Sequence, residues 1–183
     1  MAVLPIRLLG DPVLREPGAP VAEFGPDLAR LVDDMVETMD AAGGAGLAAP
    51  QVGVQLRVFV YDAGDGDGPR AVVNPEISEP EGSAPYEEGC LSVPGIYVEI
   101  ERPEIVTARW QDVDGARHEA RADGFFARVF QHEMDHCDGK VFLDRAQRRD
   151  RKDALRRFRE LWPGPATSYM PDASEGRRRE HAL

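Results

Sequence analysis

Residues 131–139 read QHEMDHCDG. His132 and His136 are four apart, with Glu133 beside the first. In a helix this spacing puts both imidazoles on one face, one turn apart, where both can reach a single ion. Glu133 is turned by about 100° from His132, so it can address a water on that ion without displacing it. The pattern is H-E-x-x-H, whose chemistry is metal-assisted hydrolysis with the glutamate moving the proton. A catalytic site of this kind needs a third protein ligand.

Several residues compete for that place. A third histidine six positions after His136 would give a metzincin, but Phe142 stands there, although Gly139 matches that pattern. A thermolysin-like site would draw a glutamate from a later helix, and Glu160 is in reach of that reading. His118 sits in a strand with Ala116 and Ala120 on its side and reads as an inward-facing core histidine. Cys137 points off the metal face and reads as packing. His181 falls in a polar tail. Cys90, in EEGCLS, is uninformative by itself.

The elements that would hold these residues follow from periodicity. Residues 124–138 read as the helix of the metal motif, with Asp123 as cap and Gly139 as stop. Phe125, Phe126, Val129 and Phe130 imply that this helix is buried. An earlier helix spans 27–42, where Leu28, Leu31, Val32, Met35, Val36 and Met39 form one apolar stripe behind Pro26. Residues 41–53, AAGGAGLAAPQVG, look too small-sided to be core. Strands are expected at 56–62, 71–77, 96–103, 105–111 and 116–122, with a hairpin turn at Asp114–Gly115. Residues 87–95 read as a loop or strand end. The tip 63–70 has acids at calcium-loop spacing, but Pro69 and Arg70 occupy ligand and glycine positions, which argues against calcium. A last helix spans 148–162 and ends before Pro163. The class is α+β, with antiparallel sheets around the metal-motif helix and one helix toward each terminus. The domain is expected to cover 1–162, leaving 163–183 as a mobile polar tail.

Bulk properties limit the partners. The chain has 183 residues and a net charge of −11, which argues against nucleic acid, and DNA in particular, as a direct partner. Residues 1–144 carry −16 and residues 145–183 carry +5. No apolar run is long enough to span a membrane. No signal or transit peptide is read at the N-terminus, so the expected compartment is the cytoplasm. Two cysteines in such a chain are expected to stay reduced.

The chain resembles peptide deformylase. The resemblance is carried by GAGLAAPQ (44–51), EGCLS (88–92) and QHEMDH (131–136), in that order, and extends to GDPVLR, VVNPEI and DGKVFLDR. It covers most of residues 5–145. It implies that Cys90 joins His132 and His136 as a metal ligand. It further implies removal of the formyl group from N-formylmethionyl peptides, with release of formate. Glu133 would move the proton, and the Gln51 amide and the Leu91 N–H would stabilise the oxyanion. The extended peptide would pair with strand edges near Gly44, Ala45, Gly46 and Gly89. Phe125 and Val129 lie seven and three residues before His132, and would line a pocket for methionine. The metal implied is Fe2+ in the cell, with Zn2+, Ni2+ or Co2+ able to replace it. Ala45 departs from the usual Ile or Val, and Cys137 from the usual Leu. A zincin-type endopeptidase using Glu160 is the competing reading.

The resemblance also gives the basic arm a role. Arg148, Arg149, Arg151, Lys152, Arg156, Arg157 and Arg159 crowd one helix, and Arg177–Arg179 follow. Such a helix is expected to approach the ribosome near its exit tunnel, with salt-sensitive affinity. The enzyme is expected to act as a monomer.

Overall fold

The computed structural model describes residues 2–172. In chain order the elements are β1 (Ile6–Arg7), α1 (Pro26–Ala42), β2 (Gly46–Ala48), β3 (Val58–Tyr61), β4 (Arg70–Glu81), β5 (Ala84–Glu88), β6 (Val98–Arg102), β7 (Ile105–Gln111), β8 (Arg117–Asp123), α2 (Gly124–Cys137), α3 (Arg148–Leu161) and β9 (Ser168–Tyr169). The class is α+β, as expected. Five antiparallel strands form the main sheet in the order β2-β3-β4-β7-β8, while β5-β6 and β1-β9 form two separate pairs. No helix among the described residues is long and apolar enough to cross a membrane.

Helix α1 starts on Pro26, whose missing N–H costs nothing there, and ends on Gly43 in the left-handed region (φ 64). Its stripe packs as expected: Leu28, Met35 and Met39 are buried against Leu47, Val58 and Val60, with Leu31, Val32 and Val36 alongside. Helix α2 lies against the other face of the sheet. Phe130 meets Phe59 edge-on, with ring centroids 5.2 Å apart, and Val129 and Ala127 fill the same cluster. Gly139 follows α2 with φ 71, and a Cβ there would come within 2.8 Å of the Arg15 carbonyl oxygen. That position needs glycine for both reasons. At the other end of the helix the Asp123 side chain makes no capping bond.

Four features depart from the sequence reading. Residues 45–49 are core, not loop: Ala45, Leu47, Ala48 and Ala49 are fully buried, and Gly46–Ala48 is the edge strand β2. Leu47 packs with the α1 cluster, while Gly46 is small because α2 comes close: a Cβ there would sit 2.5 Å from Glu133 Oε1. Strand β5 was not expected, since its exposed Tyr86 and Glu87 hide the pairing with β6. His118 is not a core histidine. It lies on the outermost strand β8, stacks on Trp110 at 5.4 Å and bonds Asp112 Oδ2 at 2.7 Å. Finally, residues 163–172 do not leave the body as a tail, because β9 pairs antiparallel with β1, Ile6 opposite Tyr169. The expected mobility of the rest of the tail, with Arg177–Arg179 and His181, concerns residues outside those described.

Candidate metal centre

Three elements converge on one buried point. Helix α2 brings His132 and His136, and the loop after β5 brings Cys90. One ligand atom from each lies within 4.8 Å of the other two, and all three residues are buried. The Cys90 sulfur is 3.2 Å from His136 Nε2. Both Cys90 and Cys137 are free thiols, so no bridge competes. Cys137, the last residue of α2, is buried with its sulfur facing the Val58 carbonyl, and burial pushes its thiol up to about 12. It reads as packing.

His132 is held from outside the centre, whereas His136 Nδ1 has no hydrogen-bond partner among the described residues. The His132 Nδ1 is 3.0 Å from Glu88 Oε2, which leaves Nε2 for the centre. Arg102 grips Glu88 through two bonds, at 2.6 and 2.9 Å, and reaches Asp135 Oδ2 at 2.9 Å; Arg145 clasps Asp135 from the other side. Burial raises the Glu88 carboxyl, but hydrogen bonds from His132 and Arg102 outweigh it and hold it down at about 2. Fixing a ligand ring through its second nitrogen sets both tautomer and orientation. Sequence reasoning missed Arg102 altogether. Glu88 and Asp135 sit inside the quoted motifs, but only the fold shows their shared guanidinium.

Glu133 lies beside the ligands, 2% exposed. Burial pushes its carboxyl up to about 7, and its Oε2 has no hydrogen-bond partner among the described residues. Burial likewise pushes His136 down to about 3, which favours the neutral, ligating ring. Burial opposes charge on His132 as well, yet Cys90 and Glu88 prevail and draw it toward its protonated form. The centre brings a sulfur and two imidazole nitrogens together, one soft and two borderline donors. The residues fit a divalent transition-metal ion.

Gln51 enters from the turn after β2. Its Oε1 accepts from Ala48 N at 2.7 Å, while Nε2 donates to Ser92 Oγ at 3.2 Å and faces Cys90 Sγ at 3.5 Å. Gly44 lies against the Leu91 side chain, where a Cβ would clash at 2.6 Å. Gly89 and Ala45 are buried next to these positions. A cavity of about 500 Å³ opens beside Cys90 and Leu91, walled also by Ile96, Tyr97, Trp162 and Tyr169. Neither Phe125 nor Val129 lines it. Val129 packs into the core with Phe59, and Phe125 is 37% exposed on the first turn of α2. Glu160 is exposed on α3 and pairs with Arg156 at 3.1 Å, so it is no ligand and the endopeptidase reading loses its third donor.

Fold and centre together define a metal-dependent hydrolase built on an H-E-x-x-H helix, with a cysteine as third donor. The polypeptide deformylase family profile matches residues 3–152. A peptide deformylase of Novosphingobium aromaticivorans is 45% identical, covering 88% of this chain and 98% of its own length. One from a Parafrankia strain is 45% identical over 98% of this chain and 100% of its own. Among solved structures, a Legionella pneumophila peptide deformylase superposes with a TM-score of 0.84 at 42% identity, covering 88% of this chain and 96% of that one. A Synechococcus elongatus peptide deformylase in complex with actinonin gives 0.81 at 41% identity, covering 84% and 86%. The chain belongs to the polypeptide deformylase family.

Proposed function

We propose that the protein hydrolyses the formamide of N-formylmethionyl peptides, releasing formate and a free amino terminus. The observation that carries this reading is the Cys90 sulfur lying 3.2 Å from the His136 ring with the buried Glu133 carboxyl alongside. A divalent ion held by Cys90, His132 and His136 would supply an activated water at neutral pH and polarise the formyl oxygen. The ion proposed in the cell is Fe2+, with Zn2+, Ni2+ or Co2+ as replacements.

Glu133 is the proton carrier. A carboxyl raised to about 7 takes a proton near neutrality and gives it up again, here to the departing amine. Gln51 Nε2 and the Leu91 N–H are the donors for the developing oxyanion. Gln51 suits this because its Oε1 is tied to Ala48 N, which fixes which end of the amide faces the centre. The peptide lies extended between Gly44–Gly46 and Gly89, where backbone pairing reads no side chain beyond the first. The methionine pocket is proposed on the α2 face that carries His132, apart from the cavity beside Leu91, with Phe125 at its rim and the buried Val129 beneath it. Formate release from a formyl-Met peptide by anaerobically prepared protein tests this reading. Absence of formate from protein loaded with one metal equivalent contradicts it.

The substrate also suggests the setting. Action on nascent chains is the ground for proposing the cytoplasm as its compartment, and a monomer is the proposed state. Arg148, Arg149, Lys152, Arg157 and Arg159 are exposed on α3 and supply the positive face for docking near the ribosomal exit tunnel. Charge reversal of Arg149, Lys152 and Arg157 should abolish salt-sensitive co-sedimentation with ribosomes, and unchanged co-sedimentation would refute the docking.

A further inference from the structure

The family profile ends at residue 152, yet the chain beyond it returns to the metal centre. Strand β9 is fastened to β1, and the Leu8 N–H donates to the Thr167 carbonyl at 2.7 Å. This brings the Tyr169 ring beside Trp162, with centroids 5.8 Å apart, and its hydroxyl donates to the Leu91 carbonyl at 3.1 Å. That carbonyl belongs to the peptide unit joining Leu91 to Ser92. The N–H of the same unit donates to the Cys90 sulfur at 3.4 Å. The next carbonyl, of Ser92, accepts from the Leu9 N–H at 2.8 Å, just past β1.

We propose that Tyr169 is a positioning residue for the metal centre, acting on the Cys90 sulfur through the Leu91–Ser92 peptide. A peptide that accepts a hydrogen bond at its oxygen becomes a stronger donor at its nitrogen, so the two bonds reinforce each other. The hydroxyl also fixes the plane of this peptide and, through Leu91, the orientation of the preceding N–H that faces the substrate. Outer partners that orient a ligand change metal affinity by about 10–100-fold when removed. The C-terminal strand thereby becomes part of the site.

The inference rests on the metal-ligand reading, and Co2+ loading separates the two. Wild-type protein should show an intense sulfur-to-cobalt charge-transfer absorption; if it shows none, both readings fall. Tyr169→Phe keeps the ring and its packing on Trp162 but lacks the hydroxyl. It should shift that absorption, weaken Co2+ binding about tenfold against a competing chelator, and lower kcat with KM nearly unchanged. Tyr169→Ala, which also loses the ring, should do at least as much and lower the melting temperature. A Tyr169→Phe protein with wild-type absorption and wild-type Co2+ affinity would overturn the proposal, whatever Tyr169→Ala does.

Discussion

The Glu88 carboxylate meets the His132 ring at 3.0 Å while its two oxygens share the Arg102 guanidinium. Through this contact a strand pair on one side of the molecule fixes a ligand on a helix from the other. Arg102 also bonds Asp135, one residue before His136, so one guanidinium steadies both ligating stretches of α2 and the strand leading to Cys90. Arg102, Glu88 and Asp135 are all nearly or fully buried.

Breaking this group should cost stability and metal together. Arg102→Met leaves Glu88 buried without its guanidinium and Asp135 with Arg145 alone, a loss of about 3–5 kcal/mol. Denaturant unfolding of the metal-free protein would measure it. Glu88→Gln keeps the shape but not the charge, and should weaken metal binding by about 10–100-fold in chelator competition.

Glu133→Gln separates the proton carrier from the ligands. The variant should retain one metal equivalent by elemental analysis, since Glu133 donates nothing to the ligand set. Its kcat should fall by about 10²–10⁴-fold. Loss of the metal along with activity would assign Glu133 a structural place instead.

Gln51→Leu should leave the metal in place and reduce kcat by about 10²–10³-fold through loss of one oxyanion donor. Steady-state kinetics on a formyl-Met peptide would show it. A change confined to KM would mean that Gln51 binds substrate and transition state alike.

Gly46→Ala tests the close approach of β2 to α2. The added Cβ would sit 2.5 Å from Glu133 Oε1 and 3.0 Å from its Cγ, so the carboxylate must move. A displacement of about 1 Å at a reacting group costs about 10²-fold. The expected outcome is lost activity with a small change in melting temperature, because Gly46 needs no left-handed backbone.

Helix α2 was legible because its signals are local: ligand spacing of four, an apolar face, and Gly139 at its end. Cys90 was not legible from its neighbours, and only the resemblance picked it out, because a loop cysteine declares its role only when a distant helix arrives beside it. Strand β2 was hidden because close packing on Glu133 demands Gly and Ala, the residues that suggest a loop. His118 misled because an alternation of alanines around it resembles a buried face, whereas β8 is the open edge of its sheet. Tyr169 was unreadable for a similar reason, since its two-residue strand depends wholly on β1 at the other end of the chain.

Metal-edge X-ray absorption on the loaded protein tests the central claim most directly. With Zn2+ bound, the account predicts one sulfur at about 2.3 Å and two imidazole nitrogens at about 2.0–2.1 Å. A first shell of nitrogen and oxygen alone, without sulfur, would contradict it.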